Sequence, residues 1–93
     1  MGHLPIPANI FFEDFEFDLL EYTILNRDTI IGSYRGLTNS DEDGDYIGFL
    51  TSDQPPISVG STLLAPNESK KLNIRQVSYD YYNGQPELLK AYY

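Results

Sequence analysis

Turn-forming residues recur along this chain at spacings that leave room for short strands between them and for little else: "LNRD" at 25–28, "NSDEDGD" at 39–45, "SDQPP" at 52–56, "APNES" at 65–69 and "NGQP" at 83–86. The runs they bound are rich in β-branched and aromatic residues, which suit a pleated surface. "FEFDLLEYTI", "TIIGSYRG", "DYIGFLTS", "STLLA", "KKLNIRQVSYDYY" and "ELLKAYY" read as six strands. Asn83 and Gly84 both tolerate positive φ and predict a two-residue hairpin turn between the last two runs. Pro86, which has no N–H to give a ladder, is expected at that turn or on an edge.

Only the start of this pattern carries two periods. Phe15, Phe17 and Leu19 alternate with Glu16 and Asp18 as a half-buried strand would, but Phe11, Phe12, Phe15, Leu19 and Tyr22 also recur at helical spacing, with Asn9 placed to cap a helix. Thr23, Ile24 and the run Thr29–Ile31 form helices poorly, so the expectation is strand from residue 15 onward. Residues 1–14, containing "LPIPA", are read as an extended N-terminal arm and residues 15–93 as a single β-barrel domain. Six short strands must manage their edges, and a small antiparallel barrel or barrel-like sandwich does so by closure.

A chain of 93 residues makes one domain, and 41% hydrophobic residues supply a modest core. The absence of cysteine removes disulfide and thiolate chemistry and leans toward a reducing compartment. No basic region precedes an apolar stretch of signal-peptide length, and no run approaches the roughly 20 apolar residues that span a bilayer. The expectation is a cytoplasmic protein without a membrane partner. Charge is the strongest global bias: 14 acids oppose 6 bases, net −8. Residues 1–53 hold 11 of the acids against Arg27 and Arg35, whereas residues 54–93 hold Glu68, Asp80 and Glu87 against Lys70, Lys71, Arg75 and Lys90. Such a field repels phosphate backbones and anionic lipid and steers basic partners.

The densest acids surround Gly44 and invite comparison with an EF-hand calcium loop. With Gly44 at the sixth position, Asn39, Asp41, Asp43 and Asp45 fall at the first, third, fifth and seventh, but the twelfth, where a bidentate glutamate is needed, is Leu50. Starting the frame at Asp41 puts Tyr46 where glycine is required and Ser52 where glutamate is required. The stretch is therefore read as a hairpin turn, in which Asn, Asp and Ser bond their own backbone and Gly44 supplies positive φ. No cofactor is expected.

Catalytic material is thin. His3 is the single histidine and sits beside the chain start, so nucleophile-and-base arrangements lack their usual members. Glu16 and Asp18 would lie about 7 Å apart on one strand face, where they also serve as its solvated side. The chain is read as non-enzymatic. "SKKLNIRQVSYDYY" places Lys70, Lys71 and Arg75 before Tyr79, Tyr81 and Tyr82, a mixture of cations and aromatics that single-strand binders use, yet three cations beside a strongly acidic half make a small patch. "NES" at 67–69 matches the glycosylation acceptor pattern, without weight absent a secretory route.

Protein binding has positive support. Eight tyrosines, with Tyr79, Tyr81, Tyr82, Tyr92 and Tyr93 near one hairpin, offer large, partly polar contact area with few rotors to freeze. The expected function is a small acidic binding module, an inhibitor, immunity-type protein or adaptor engaging a basic protein through Asp41, Glu42, Asp43, Asp45, Tyr79, Tyr81, Tyr82 and Tyr92. Nucleic acid is not the expected partner.

A resemblance supplies the alternative. Thr29, Ile30, Ile31 and Gly32, then Ile57, Val59, Gly60 and Leu63, then Lys71, Leu72, Ile74, Val77 and Ala91 together resemble the second-domain β-barrel of translation GTPases of the elongation factor Tu type. The chain departs from that pattern in Ser61, where the family has aspartate, in the longer and more acidic segment 37–56, and in lacking the last strand and any phosphate loop. The resemblance implies a stand-alone barrel associated with RNA or the ribosome, with Lys70, Lys71, Arg75 and Tyr79 in contact. Such contact needs phosphate-facing charge, which a net −8 chain lacks.

Overall fold

The structure, a computed structural model, describes residues 2–66 and 71–93. Its elements are β1 (Gly2–His3), α1 (Ala8–Asp14), a 3₁₀ turn (Glu16–Asp18), β2 (Leu20–Asn26), β3 (Thr29–Asp41), β4 (Gly44–Leu50), a second 3₁₀ turn (Thr51–Asp53), β5 (Thr62–Leu64), β6 (Lys71–Asn73), β7 (Gln76–Tyr82) and β8 (Gln85–Tyr92). All the strands join one sheet in the order β1-β7-β8-β4-β3-β2-β5-β6. Every neighbouring pair is antiparallel except the two-residue β1, which runs parallel to β7. No helix among the described residues is long and apolar enough to cross a membrane.

The mostly antiparallel β class holds, but two expectations need correction. In place of the six-stranded barrel or barrel-like sandwich, the described residues form an open sheet of seven strands plus the short β1. The extra strands arise because "KKLNIRQVSYDYY" divides into β6 and β7, and because the N-terminus adds a strand of its own. At the division the chain changes partner. Ile74 donates its N–H to Ser61 C=O at 2.9 Å, on the β5 side, while Arg75 donates to Tyr92 C=O at 2.8 Å, on the β8 side. The two ends of the strand order are thus joined by covalent chain, not by a ladder.

The second correction concerns the arm. Residues 8–14 are helical, and the strand expected from residue 15 begins at Leu20. Ala8 and Phe12, one turn apart, bury against Leu37 and Leu88, so tertiary burial on one apolar stripe decides the period. Helix N-termini leave orphan N–H groups, and here the Glu87 carboxylate on β8 accepts from Ala8 N–H at 3.2 Å. Pro7, not Asn9, occupies the N-cap. Phe17, expected on a buried strand face, is instead 99% exposed in the 3₁₀ turn.

The main core lies on the opposite face of the sheet: Tyr22 and Ile24 of β2, Ile47 and Phe49 of β4, Leu89 and Ala91 of β8, with Ile57, Leu63 and Ile74. These pairs sit two apart, as a half-buried strand requires. Leu88 faces α1 while Leu89 faces the main core, so β8 is covered on both sides. The long β3 serves two partners in succession, and Gly36, paired with both Leu20 and Phe49, is the handover point. A Cβ at Gly36 would fall 2.6 Å from Ile47 Cγ2, so only glycine lets the layers approach there.

Candidate functional site

The acidic stretch forms the β3–β4 hairpin. Asp41 pairs with Gly44 across the loop residues Glu42 and Asp43. Asp41 Oδ1 accepts from Asp43 N–H at 2.9 Å, the side-chain-to-backbone bond that makes aspartate a turn residue. Gly44 adopts φ +126°, and a Cβ there would meet the Arg75 guanidinium. Arg75 donates from Nη2 to Asp43 C=O and lies with Cζ 5.6 Å from the Tyr92 ring centroid. The strand following the turn is fixed by Tyr93 N–H, which donates to Asp45 C=O at 3.3 Å. The tip is therefore braced by the C-terminal end of β8 and by the residue preceding β7.

Beneath the tip lies a polar network that Asp41 shares. Its Oδ2 accepts from Tyr92 OH at 2.6 Å and from Lys90 Nζ at 3.2 Å. Lys90 Nζ also stands 3.0 Å from Asp80 Oδ1, an ion pair between side chains that are 11% and 14% exposed. Its ammonium lies 5.5 Å and 5.8 Å from the Tyr46 and Tyr92 ring centroids, within cation–π range. The Tyr92 hydrogen bond, ahead of the Asp43 N–H and Lys90, holds the Asp41 carboxyl below its usual range. Burial, aided by the bond to Asp41, pushes the Tyr92 hydroxyl up to about 12. Burial alone would depress the Lys90 ammonium, yet Asp80, Tyr92 and Asp41 outweigh it and hold it above the ordinary lysine range.

The residues expected to bind a partner thus divide. Asp41 and Tyr92 come together, but with each other, and Tyr92 is buried in the core. Glu42, Asp43 and Asp45 are exposed at the tip. Tyr79 is 40% exposed, whereas Tyr81 and Tyr82 are half-buried beyond a bulge between Asp80 and Tyr81. Six residue steps along the strand separate Gln76, next to the braced tip, from Tyr82, about 20 Å at the usual rise. One continuous surface does not hold all eight. Of the residues considered for RNA contact, Lys71 is exposed, Arg75 is engaged by the hairpin, and Lys70 lies outside the described residues, as does "NES" at 67–69.

Sequence reading missed Lys90 and Asp80. The signal was present in "ELLKAYY": Lys90 occupies the face shared by Leu88 and Tyr92, where a lone lysine between apolar residues two positions away calls for a buried counter-charge. Among the described residues, no three His, Cys, Asp or Glu side chains group in a way that would hold a metal ion. No family model matches the chain, and no curated protein or solved structure shows significant similarity to it.

Proposed function

We propose that the protein is a non-enzymatic binding module that engages a basic protein, with the tip of the β3–β4 hairpin as a contact surface. The observation that carries this reading is the division of labour among the acids: the Asp41 carboxylate is taken up by Lys90 and Tyr92, while Glu42, Asp43 and Asp45 stay exposed with no ion pair among the described residues, on a turn braced by Arg75. A rigid acidic tip steers encounter and loses little freedom on binding. Tyr79, three residues along β7 from Gln76 and about 10 Å away by strand rise, supplies an exposed aromatic within reach of the same partner. An inhibitor, immunity-type protein or adaptor would use such a surface.

The RNA-associated alternative has less support, because Arg75 points its guanidinium into the acidic hairpin. The triple variant Glu42→Gln, Asp43→Asn, Asp45→Asn keeps side-chain shape and removes charge. It is expected to weaken capture of the partner about tenfold and to flatten its salt dependence. Unchanged affinity and unchanged salt slope would sink the reading.

A further inference from the structure

Phe17 is a large apolar side chain that folding leaves in water. It is 99% exposed, and Ile10, Phe15 and Leu20 in the same stretch of chain are 42%, 41% and 44% exposed. Burial is what a large apolar side chain contributes to folding, so the fold gains nothing from placing Phe17 here. Its backbone is nonetheless ordered: Asp18 N–H donates to Phe15 C=O at 2.9 Å and Leu19 N–H to Glu16 C=O at 3.4 Å. Phe15 leans on Phe11 with ring centroids 4.9 Å apart, and Phe12 and Ala8 hold α1 on the sheet. Phe17 is thus presented on a preorganised mount.

The charges around it also run against folding. Glu13 and Asp14 close α1, Glu16 and Asp18 follow at once, and no basic residue lies in the last turn. The C-terminal end of a helix carries partial negative charge and favours cations, so these carboxylates repel it. Local rules are broken most often where function is served. Beside the turn a cleft of about 270 Å³ is lined by Glu13, Glu16, Leu19, Leu50 and Arg35, among others. Two glutamates against one arginine leave it with an excess negative charge. Among the described residues neither glutamate has a cation within ion-pair distance. A lysine or arginine from outside would lay its alkyl stem on Leu19 and Leu50 and bring its head to the carboxylates.

We propose that the segment Ile10–Leu20 is a docking surface for a basic protein segment, which receives Phe17 in an apolar pocket and inserts a lysine or arginine between Glu13 and Glu16. This rests on the partner being a basic protein, as argued above, but uses a surface other than the hairpin. The acids set the charge of the partner's rim, and Phe17 sets its apolar centre.

The test is selection of short random peptides displayed on phage against the intact chain, followed by fluorescence anisotropy on synthetic copies of those recovered. The expected peptides combine lysine or arginine with large apolar residues. Phe17→Ser should weaken them by about tenfold or more, and Glu13→Gln with Glu16→Gln should lower both affinity and salt dependence. These positions are exposed, so circular dichroism should show each variant folded. Basic peptides that respond to the hairpin triple variant and not to Phe17→Ser would overturn this surface while leaving the hairpin reading in place. Recovery of no basic peptides would overturn both.

Discussion

Lys90 holds together parts of the chain that are far apart in sequence. With side chains only 11% and 14% exposed, the Lys90–Asp80 pair makes removal of one partner costly, because the other is left buried and uncompensated. Lys90→Met is expected to destabilise the protein by about 3 kcal/mol in urea unfolding, and adding Asp80→Leu should recover most of that loss. If the double variant is no more stable than the single, the pair is not the unit described. Tyr92 gives a pH signature. Its folded value of about 12 exceeds its ordinary 10.0, so the folded state keeps the phenolic proton longer than the unfolded state. The associated stability is complete below pH 10 and is lost as pH rises through the window to about 12. Lys90, also raised, loses its contribution on the same alkaline side. Unfolding measured across that window should show the decline in the wild type and a shallower one in Tyr92→Phe. Asp41 acts oppositely: its lowered value makes its contribution present above the unfolded carboxylate range and lost as pH falls through the folded value.

Among the elements, hairpins were the most legible, since their chemistry is local. Asn83 and Gly84 both take positive φ, 51° and 75°, as their residue types demand, and Pro86 sits by that turn. The β2–β3 turn is different. Arg27 and Asp28 adopt φ 53° and 64°; aspartate, like asparagine, tolerates this region and arginine does not, so the strain lies at Arg27. Arg27→Gly should therefore stabilise the protein by about 1 kcal/mol in thermal or urea unfolding, and no gain would mean the turn is relaxed as it stands. Helix α1 was not legible, because Phe15 and Leu19 satisfy both periods and the strand-favouring Thr23 and Ile24 belong to the next element, β2. What decides it is Phe12 packing against Leu37 and Leu88, contacts no local window contains. Phe12→Ala is expected to cost about 3–5 kcal/mol, and a loss below 1 kcal/mol would mean α1 is not docked as described. The candidate site was half legible. The exposed acids of the hairpin announced themselves by density, but Asp41 and Lys90 meet across 49 residues of sequence.

At the scale of the whole molecule, the fold turns a charge imbalance between two halves of the chain into a surface. Arg75 and Lys90, from the basic half, are drawn onto the acidic hairpin, and the remaining exposed acids face outward. A chain at net −8 repels itself, so added salt should raise the thermal midpoint by screening exposed acids, while the largely buried Lys90–Asp80 pair responds little. A midpoint that falls with salt would place the balance of surface charge on the attractive side. The same outward field is what a basic partner would meet. Affinity capture of the tagged protein from lysate of its own source, with and without nuclease and read by mass spectrometry, tests this most directly. The account predicts one stoichiometric basic protein that survives nuclease and is released by salt. Ribosomal proteins or RNA that vanish with nuclease would contradict it.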